Sequence, residues 1–407
     1  MAAILPKAGG ISAHVGLRPK AARWAVRTLF FMNGALFATW ASRIPAVQSE
    51  HGLGNGTLGL ALLAVALGAV IAMPVAGLLI ARIGSAKLCK ISALLCCATL
   101  PVAMILPQWP LFVSALFCFG ASNGTLDVAM NAQAVAVEQQ YRQPIMSSFH
   151  ALWSVGGLVG AATGGFLASR GLTPSTHIAL MALVLGAITL VAFPHLLDTG
   201  NTEAHSLATE EHGPTFALPA RGIFALGVLA LCVMMGEGAM ADWSAVYLRN
   251  NVGTKEGVAA AGYATFAMAM AAGRFGGDYV QARLGAVILA RLGAILAASG
   301  LLLALVSGHA AATLIGFAFV GAGFATLAPM IFSAAGNSPG IAPGTALAMV
   351  TTVGYFGLLL GPPSIGFAAE LLGLRYALGI IVLTSLITVA LAPALARRTV
   401  DEQLPKS

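Results

Sequence analysis

Charge is what this chain has least of. Only 9% of its 407 residues are Asp, Glu, Lys or Arg, against about a quarter in a soluble globular domain. So few charges cannot cover a water-facing surface, which excludes a soluble protein. Cysteine is also scarce. Cys89, Cys96, Cys97, Cys118 and Cys232 all fall in apolar segments, with no metal-type spacing and no paired loop positions, so buried thiols are expected and a metal site or disulfide framework is not. Residues 1–27 hold five basic side chains but no short apolar stretch with a cleavage site, so a cleaved signal peptide is not expected. There is no phosphate-binding loop, which argues against ATP as energy source, and no cofactor is expected.

What is present is apolar length. Thr57 to Ile80, Leu111 to Leu126, Phe224 to Met235, Ala310 to Gly336 and Tyr376 to Ala396 are uncharged runs that reach or approach the roughly 20 residues needed to cross a bilayer. The composition is 58% hydrophobic with a mean hydropathy of +0.88. An all-α integral membrane protein follows, with the lipid bilayer as its main partner. Twelve spans are expected near 22–44, 57–81, 88–106, 109–138, 145–168, 176–197, 221–248, 257–281, 285–306, 310–335, 344–369 and 374–396.

Residues 198–220 are acidic, broken by Gly and Pro, and have no apolar face. They read as a cytoplasmic linker between an N-terminal half, 22–197, and a C-terminal half, 221–396, with cytoplasmic tails at 1–21 and 397–407. With both termini inside, sixteen Lys and Arg fall in inner segments and five (Arg43, Arg170, Arg249, Lys255, Arg375) in outer ones, accounting for all 21. That asymmetry sets the orientation. It also explains the net charge of +7 without a nucleic-acid partner.

The two halves repeat each other. Ala81-Arg82-Ile83-Gly84 returns as Ala282-Arg283-Leu284-Gly285, and Gly120-Ala121 with Thr125-Leu126 returns as Gly321-Ala322 with Thr326-Leu327. Gly156, Gly160 and Gly165 return as Gly357, Gly361 and Gly366, and all three pairings are offset by 201. Two pseudo-symmetric six-helix halves facing one another is a transporter architecture, with the binding site near the midplane.

These residues resemble the major facilitator superfamily. Gly77 to Lys87 is similar to that superfamily's gating motif, with Ala81 where the family usually has Asp; the second copy keeps Arg274, Asp278 and Arg283. The resemblance implies gating roles for Arg82, Arg274, Asp278 and Arg283. Gly156 to Gly165 resembles the antiporter glycine motif, with Ala161 in place of its Pro. Leu126-Asp127 with Asn131, followed by Ser148-Phe149-His150 with Leu152 and Gly156, resembles the fucose:proton symporter branch and bacterial inner-membrane proteins of the YbjJ and MosC type. In the fucose symporters an acid on the first helix accompanies the one on the fourth; here that helix offers Asn33. The resemblance implies a bacterial inner-membrane secondary transporter that is not an enzyme. It implies protons and a small polar solute (a sugar, polyol or cyclitol/rhizopine-like compound) as partners, moved by alternating access. The rivals are a proton-antiport exporter of metabolites or drugs and a non-transporting receptor or scaffold. A monomer is expected.

The chemistry centres on Asp127. Asn123, Asp127 and Asn131 stand at i, i+4 and i+8 on one helical face, and eleven residues separate Asp127 from Glu138 at the inner end, roughly 17 Å. An acid at that depth costs about 2.5–3.5 kcal/mol and marks an ion or substrate path by default. At the offset of 201 it maps onto Ala328, so the repeated fold does not require it. A carboxyl that gains and loses a proton as its surroundings alternate is what proton coupling needs, and Glu237, between Gly236 and Gly238, is the second such candidate. Asn33, Asn123, Asn131, His150, Trp153, Asp242 and Tyr355 are candidate substrate contacts. The asparagines and His150 read equally as helix-packing contacts, and Asp242 as a brace for an outer gate. Trp40, Trp153 and Trp243 stack on a sugar ring or anchor at the interface. Arg274 and Asp278, at i and i+4, look like a structural or gating pair. Gly336 to Gly340 fits G-x-S-x-G but joins two membrane helices, where that motif needs a strand before it, and it reads as a turn.

Overall fold

The computed structural model describes residues 18–141, 145–197, 221–339, 341 and 343–396. The expected linker and C-terminal tail, like residues 1–17 of the expected N-terminal tail, lie outside the described residues. Residues 18–21 of that tail are already helical.

Twelve helical spans account for nearly all of the described chain. They are α1 (Arg18–Glu50), α2 (Asn55–Ile83), α3 (Ser85–Met104), α4 (Trp109–Tyr141), α5 (Met146–Ser169) and α6 (Pro174–Ala192) in the first half. The second half holds α7 (Arg221–Asn250), α8 (Glu256–Leu284), α9 (Ala286–Ser307), α10 in two pieces (Ala310–Phe324 and Leu327–Gly336), α11 (Pro343–Leu372) and α12 in two pieces (Leu374–Ala377 and Gly379–Leu391). Ten of these are long and apolar enough to cross a membrane. The other two, α1 and α8, carry Arg27, Asn33, Arg43 and Arg274, and both are packed among other helices. Contact with α4, α5 and α6 surrounds α1, and α8 lies between α10 and α5. Helices wrapped by protein do not need a lipid-facing composition.

The repeat is visible in the backbone. Gly84 and Gly285, 201 apart, turn the chain between consecutive helices at φ 80° and 76°, a region that favours glycine. A Cβ at Gly120 would run into the Val65 carbonyl, and one at Gly321 into the Phe266 carbonyl, again 201 apart on both sides of the contact. Small residues let α4 approach α2, and α10 approach α8, to backbone contact. Across the middle, α2 packs on α11 and α5 on α8, so each half lends the same two helices to the seam.

One end of that seam is locked. The Arg43 guanidinium, only 1% exposed, ion-pairs with Glu256 of the other half at 3.2 Å and donates to the Leu172 carbonyl of its own half. Asn250 donates to Gln48 at 3.1 Å, and the Gly56 amide at the start of α2 donates to Glu370 of α11 at 3.0 Å. The backbones touch here too, at Gly59 with Pro362 and Gly165 with Gly257.

Several expectations change. Arg43, counted in an outer segment, lies within α1, which extends beyond its expected end to Glu50. Span ten is broken at Ala325-Thr326. Pro329, which has no N–H, leaves the Ala325 carbonyl without its i+4 donor, and Arg274 Nε donates to it at 3.4 Å. Trp40 and Trp243 are 2% and 0% exposed, so neither is an interfacial anchor; each is core. Cys118 is exposed and Cys97 half-buried, unlike the other three. Asp278 has a described backbone, but its side chain lies outside the described residues, and so does the expected pairing with Arg274.

Candidate functional site

The N-half candidates assemble on three helices. Trp153 Nε1 on α5 donates to Asn33 Oδ1 on α1 at 2.8 Å, and Asn33 Nδ2 donates to Asn123 Oδ1 on α4 at 2.8 Å. The ring of Trp153 is half-buried, and Phe37 lies beside it at 6.4 Å between centroids. The close α1–α5 contact that allows this comes from Gly34 and Gly156, whose missing side chains admit the Trp153 and Phe31 carbonyls. Asn33 is 4% exposed and bonded to both, so it holds Trp153 and Asn123 in place.

Asp127 lies one turn beyond Gly124 on a stripe of α4 that runs Gly120, Gly124, Asp127, Asn131. The glycines touch α2, and then the stripe becomes polar. Asn131 Nδ2 donates to the Asp127 backbone carbonyl at 2.8 Å and to its Oδ1 at 3.3 Å. Tyr355 of α11, from the opposite half, lies within electrostatic reach of this carboxyl. Because α4 packs on α2 and α2 on α11, the helix that carries Asp127 lies one helix away from the other half. Among the described residues no Lys, Arg or His is within ion-pair distance of it.

Glu237 is the second-half carboxyl candidate, on α7. Its Oε1 is 3.9 Å from Arg274 Nη2, with the Arg274 and Glu237 side chains 38% and 27% exposed, and has no hydrogen-bond partner. Arg274, expected at a gate, is thus joined to Glu237 and to the break in α10. His150 of α5 is exposed, packs edge-on to Phe30 at 5.1 Å, and lies within electrostatic reach of Arg274. Asp242 is half-buried, one and a half turns from Glu237.

Tyr263 escaped the sequence reading. It is 4% exposed, meets Phe37 of the other half edge-on at 6.3 Å, and lies within electrostatic reach of Glu237, Arg274 and Asp242. A lone Tyr in an Ala- and Gly-rich stretch of helix was the available signal. Arg82 and Arg283 stand exposed at the ends of α2 and α8, immediately before the paired turns, and Arg283 covers the Tyr279 ring at 4.2 Å. A crevice of about 900 Å³ opens at the locked end, bordered by Glu50, Arg249, Lys255 and Glu256. None of the expected site residues borders it.

A helical membrane protein with two repeated halves, a seam locked at one end and polar groups from both halves facing the middle is a transporter in class. The Major Facilitator Superfamily profile matches residues 26–355, and the chain belongs to that superfamily. It is 37% identical over 373 residues to an uncharacterised MFS-type transporter of Yersinia pestis (92% of this chain, 95% of that one), and 35% identical over 382 residues to membrane protein MosC of Rhizobium meliloti (93% and 91%). The fold matches a point mutant of the nucleoside transporter NupG at a TM-score of 0.75 with 12% identity, covering 92% of this chain and 98% of that one. It matches a point mutant of the Escherichia coli fucose:proton symporter FucP at 0.58 with 17% identity and the same coverage. The chain is therefore a multi-pass membrane transporter and not an enzyme.

Proposed function

We propose that this chain is a proton-coupled secondary transporter that moves a small, uncharged, hydroxyl-rich solute (a sugar, polyol or cyclitol-like compound) across the bacterial inner membrane by alternating access. Both termini are cytoplasmic, and the locked end faces outward. The carrying observation is Asp127: a carboxyl within a membrane-spanning helix, held by one asparagine, within electrostatic reach of a tyrosine of the other half, and with no cation paired to it among the described residues. Closing and opening the seam changes what surrounds that carboxyl, and its proton affinity follows its surroundings. Glu237 is the second coupling carboxyl, in the other half, with Arg274 placed to balance its charge when it is ionised. Asn33, Asn123, Asn131, Trp153, Asp242, Tyr355 and His150 form the solute site, where amides hydrogen-bond hydroxyls and the indole offers an apolar face to a ring. Arg82, Arg283 and Asp278 serve the inner gate. The solute class is supported by the fold neighbours named as nucleoside and fucose transporters, since both kinds of solute carry a hydroxylated ring. The protein acts as a monomer, with no nucleic-acid partner.

The test is proton movement in proteoliposomes with a pH-sensitive dye trapped inside and a panel of sugars and polyols outside. Wild type is expected to show a solute-dependent pH change that Asp127→Asn removes. Solute entry with no pH change would sink the proton coupling. A pH change only when solute enters everted vesicles, with protons leaving the lumen, would identify an antiport exporter instead.

A further inference from the structure

At the end of the first half opposite the lock, two arginines have no ion-pair partner among the described residues. Arg23 and Arg27 are one turn apart on α1, where like charges repel. Both are half-buried, and the Nε of each is buried with no hydrogen-bond partner. The acid at the nearby end of α4 is already committed, since Glu138 accepts from the Ile145 and Met146 amides at 2.6 and 2.7 Å and so caps α5. What the pair does touch is aromatic: the Arg23 guanidinium lies 5.0 Å above the Tyr141 ring. Trp24, between them in sequence, is 47% exposed with its ring edge-on to His195 at 6.4 Å, which is how tryptophan sits at the headgroup level of a bilayer.

Two like charges, partly desolvated and unpaired, weaken a fold unless an anion neutralises them. Forked guanidinium groups fit the oxygens of a phosphate, and basic pockets between helices at the headgroup level bind anionic lipids. We propose that Arg23 and Arg27, with Tyr141 beneath and Trp24 alongside, bind the phosphate of an anionic lipid headgroup at the corner of α1 and α4. The site is separate from the solute path and does not depend on which solute is carried.

The test uses the full chain in nanodiscs of phosphatidylcholine alone, of phosphatidylcholine with phosphatidylglycerol, and of phosphatidylcholine with inorganic phosphate in the buffer. Thermal unfolding and native mass spectrometry of retained lipid are read for wild type, Arg23→Gln, Arg27→Gln and the exposed control Lys87→Gln. Phosphatidylglycerol is expected to raise the unfolding midpoint of wild type and of Lys87→Gln. Retained phosphatidylglycerol should fall about fivefold for each arginine removed, the effect of one basic side chain at an anionic surface. In phosphatidylcholine alone each Arg→Gln variant should be at least as stable as wild type, because the repulsion is relieved; this also shows that the variants fold. Stabilisation by inorganic phosphate equal to that by the lipid would overturn the lipid as occupant. An equal phosphatidylglycerol effect in wild type and both arginine variants, or none in wild type, would overturn the site.

Discussion

Removing the two carboxylates that cross the locked end should open it, by an amount set by their surroundings. Glu256 pairs with a buried Arg43, but is itself 38% exposed, so screening limits its share to about 1 kcal/mol. Glu370 is exposed and accepts from Gly56 N at the first turn of α2. A charge at a helix N-terminus contributes about 0.3–1 kcal/mol there. The two contacts join different helix pairs, α1 to α8 and α2 to α11, so their effects should add. The double variant Glu256→Ala/Glu370→Ala then loses about 2 kcal/mol of closure, roughly a 30-fold shift. A closed-to-open ratio of about 100:1 would become about 3:1. Hydrogen exchange in nanodiscs reads this directly. Peptides at the starts of α2 and α8 should exchange faster, and peptides at the Gly84 and Gly285 turns should become more protected as the opposite end closes. Unchanged exchange at both ends would refute the view that these carboxylates hold the seam.

Other consequences are as specific. Trp153→Phe keeps the ring but loses the 2.8 Å bond to Asn33, and solute affinity, measured by equilibrium binding, should fall about fivefold, equivalent to roughly 1 kcal/mol. Gly156→Val places a side chain against the Phe31 carbonyl and should abolish folded protein on size-exclusion chromatography, whereas Gly77→Ala meets nothing within 4 Å and should be neutral. Gln133, fully buried, bonds Ser85 and both backbone groups of Leu197; Gln133→Ala should lose about 2–3 kcal/mol and lower the thermal midpoint by several degrees. Pro329→Ala restores a donor for the Ala325 carbonyl, so α10 should straighten and release Arg274, visible as a changed pH dependence of transport in proteoliposomes.

The fold was legible because its causes are local and repeated. Apolar runs announce spans, and paired glycines announce both the duplication and the close helix crossings. Within the candidate site, the shared face of Asn123, Asp127 and Asn131 was legible because helical spacing alone groups them, and the structure adds the bond between Asp127 and Asn131. Pairings across the fold were not. Nothing in the order of residues says that Arg274 reaches Glu237, or that Asn33 meets Trp153, 120 residues away. Tyr263 was missed because its role depends on three charged groups and a ring, most of them from other helices. The burial of Arg43 was not legible because positive charge near a helix end ordinarily reads as surface, and its burial depends on a glutamate 213 residues later.

That arginine also sets how the locked end lets go. Its bond to the Leu172 carbonyl lies within its own half, while its bond to Glu256 crosses the seam. When the halves part, Arg43 keeps one acceptor and Glu256, already partly wet, completes its hydration shell from the crevice beside it. Neither charge is left bare in hydrocarbon at the moment of separation. On the proposed alternating-access cycle, the latch therefore exchanges its cross-seam partner for a carbonyl of its own half and for water.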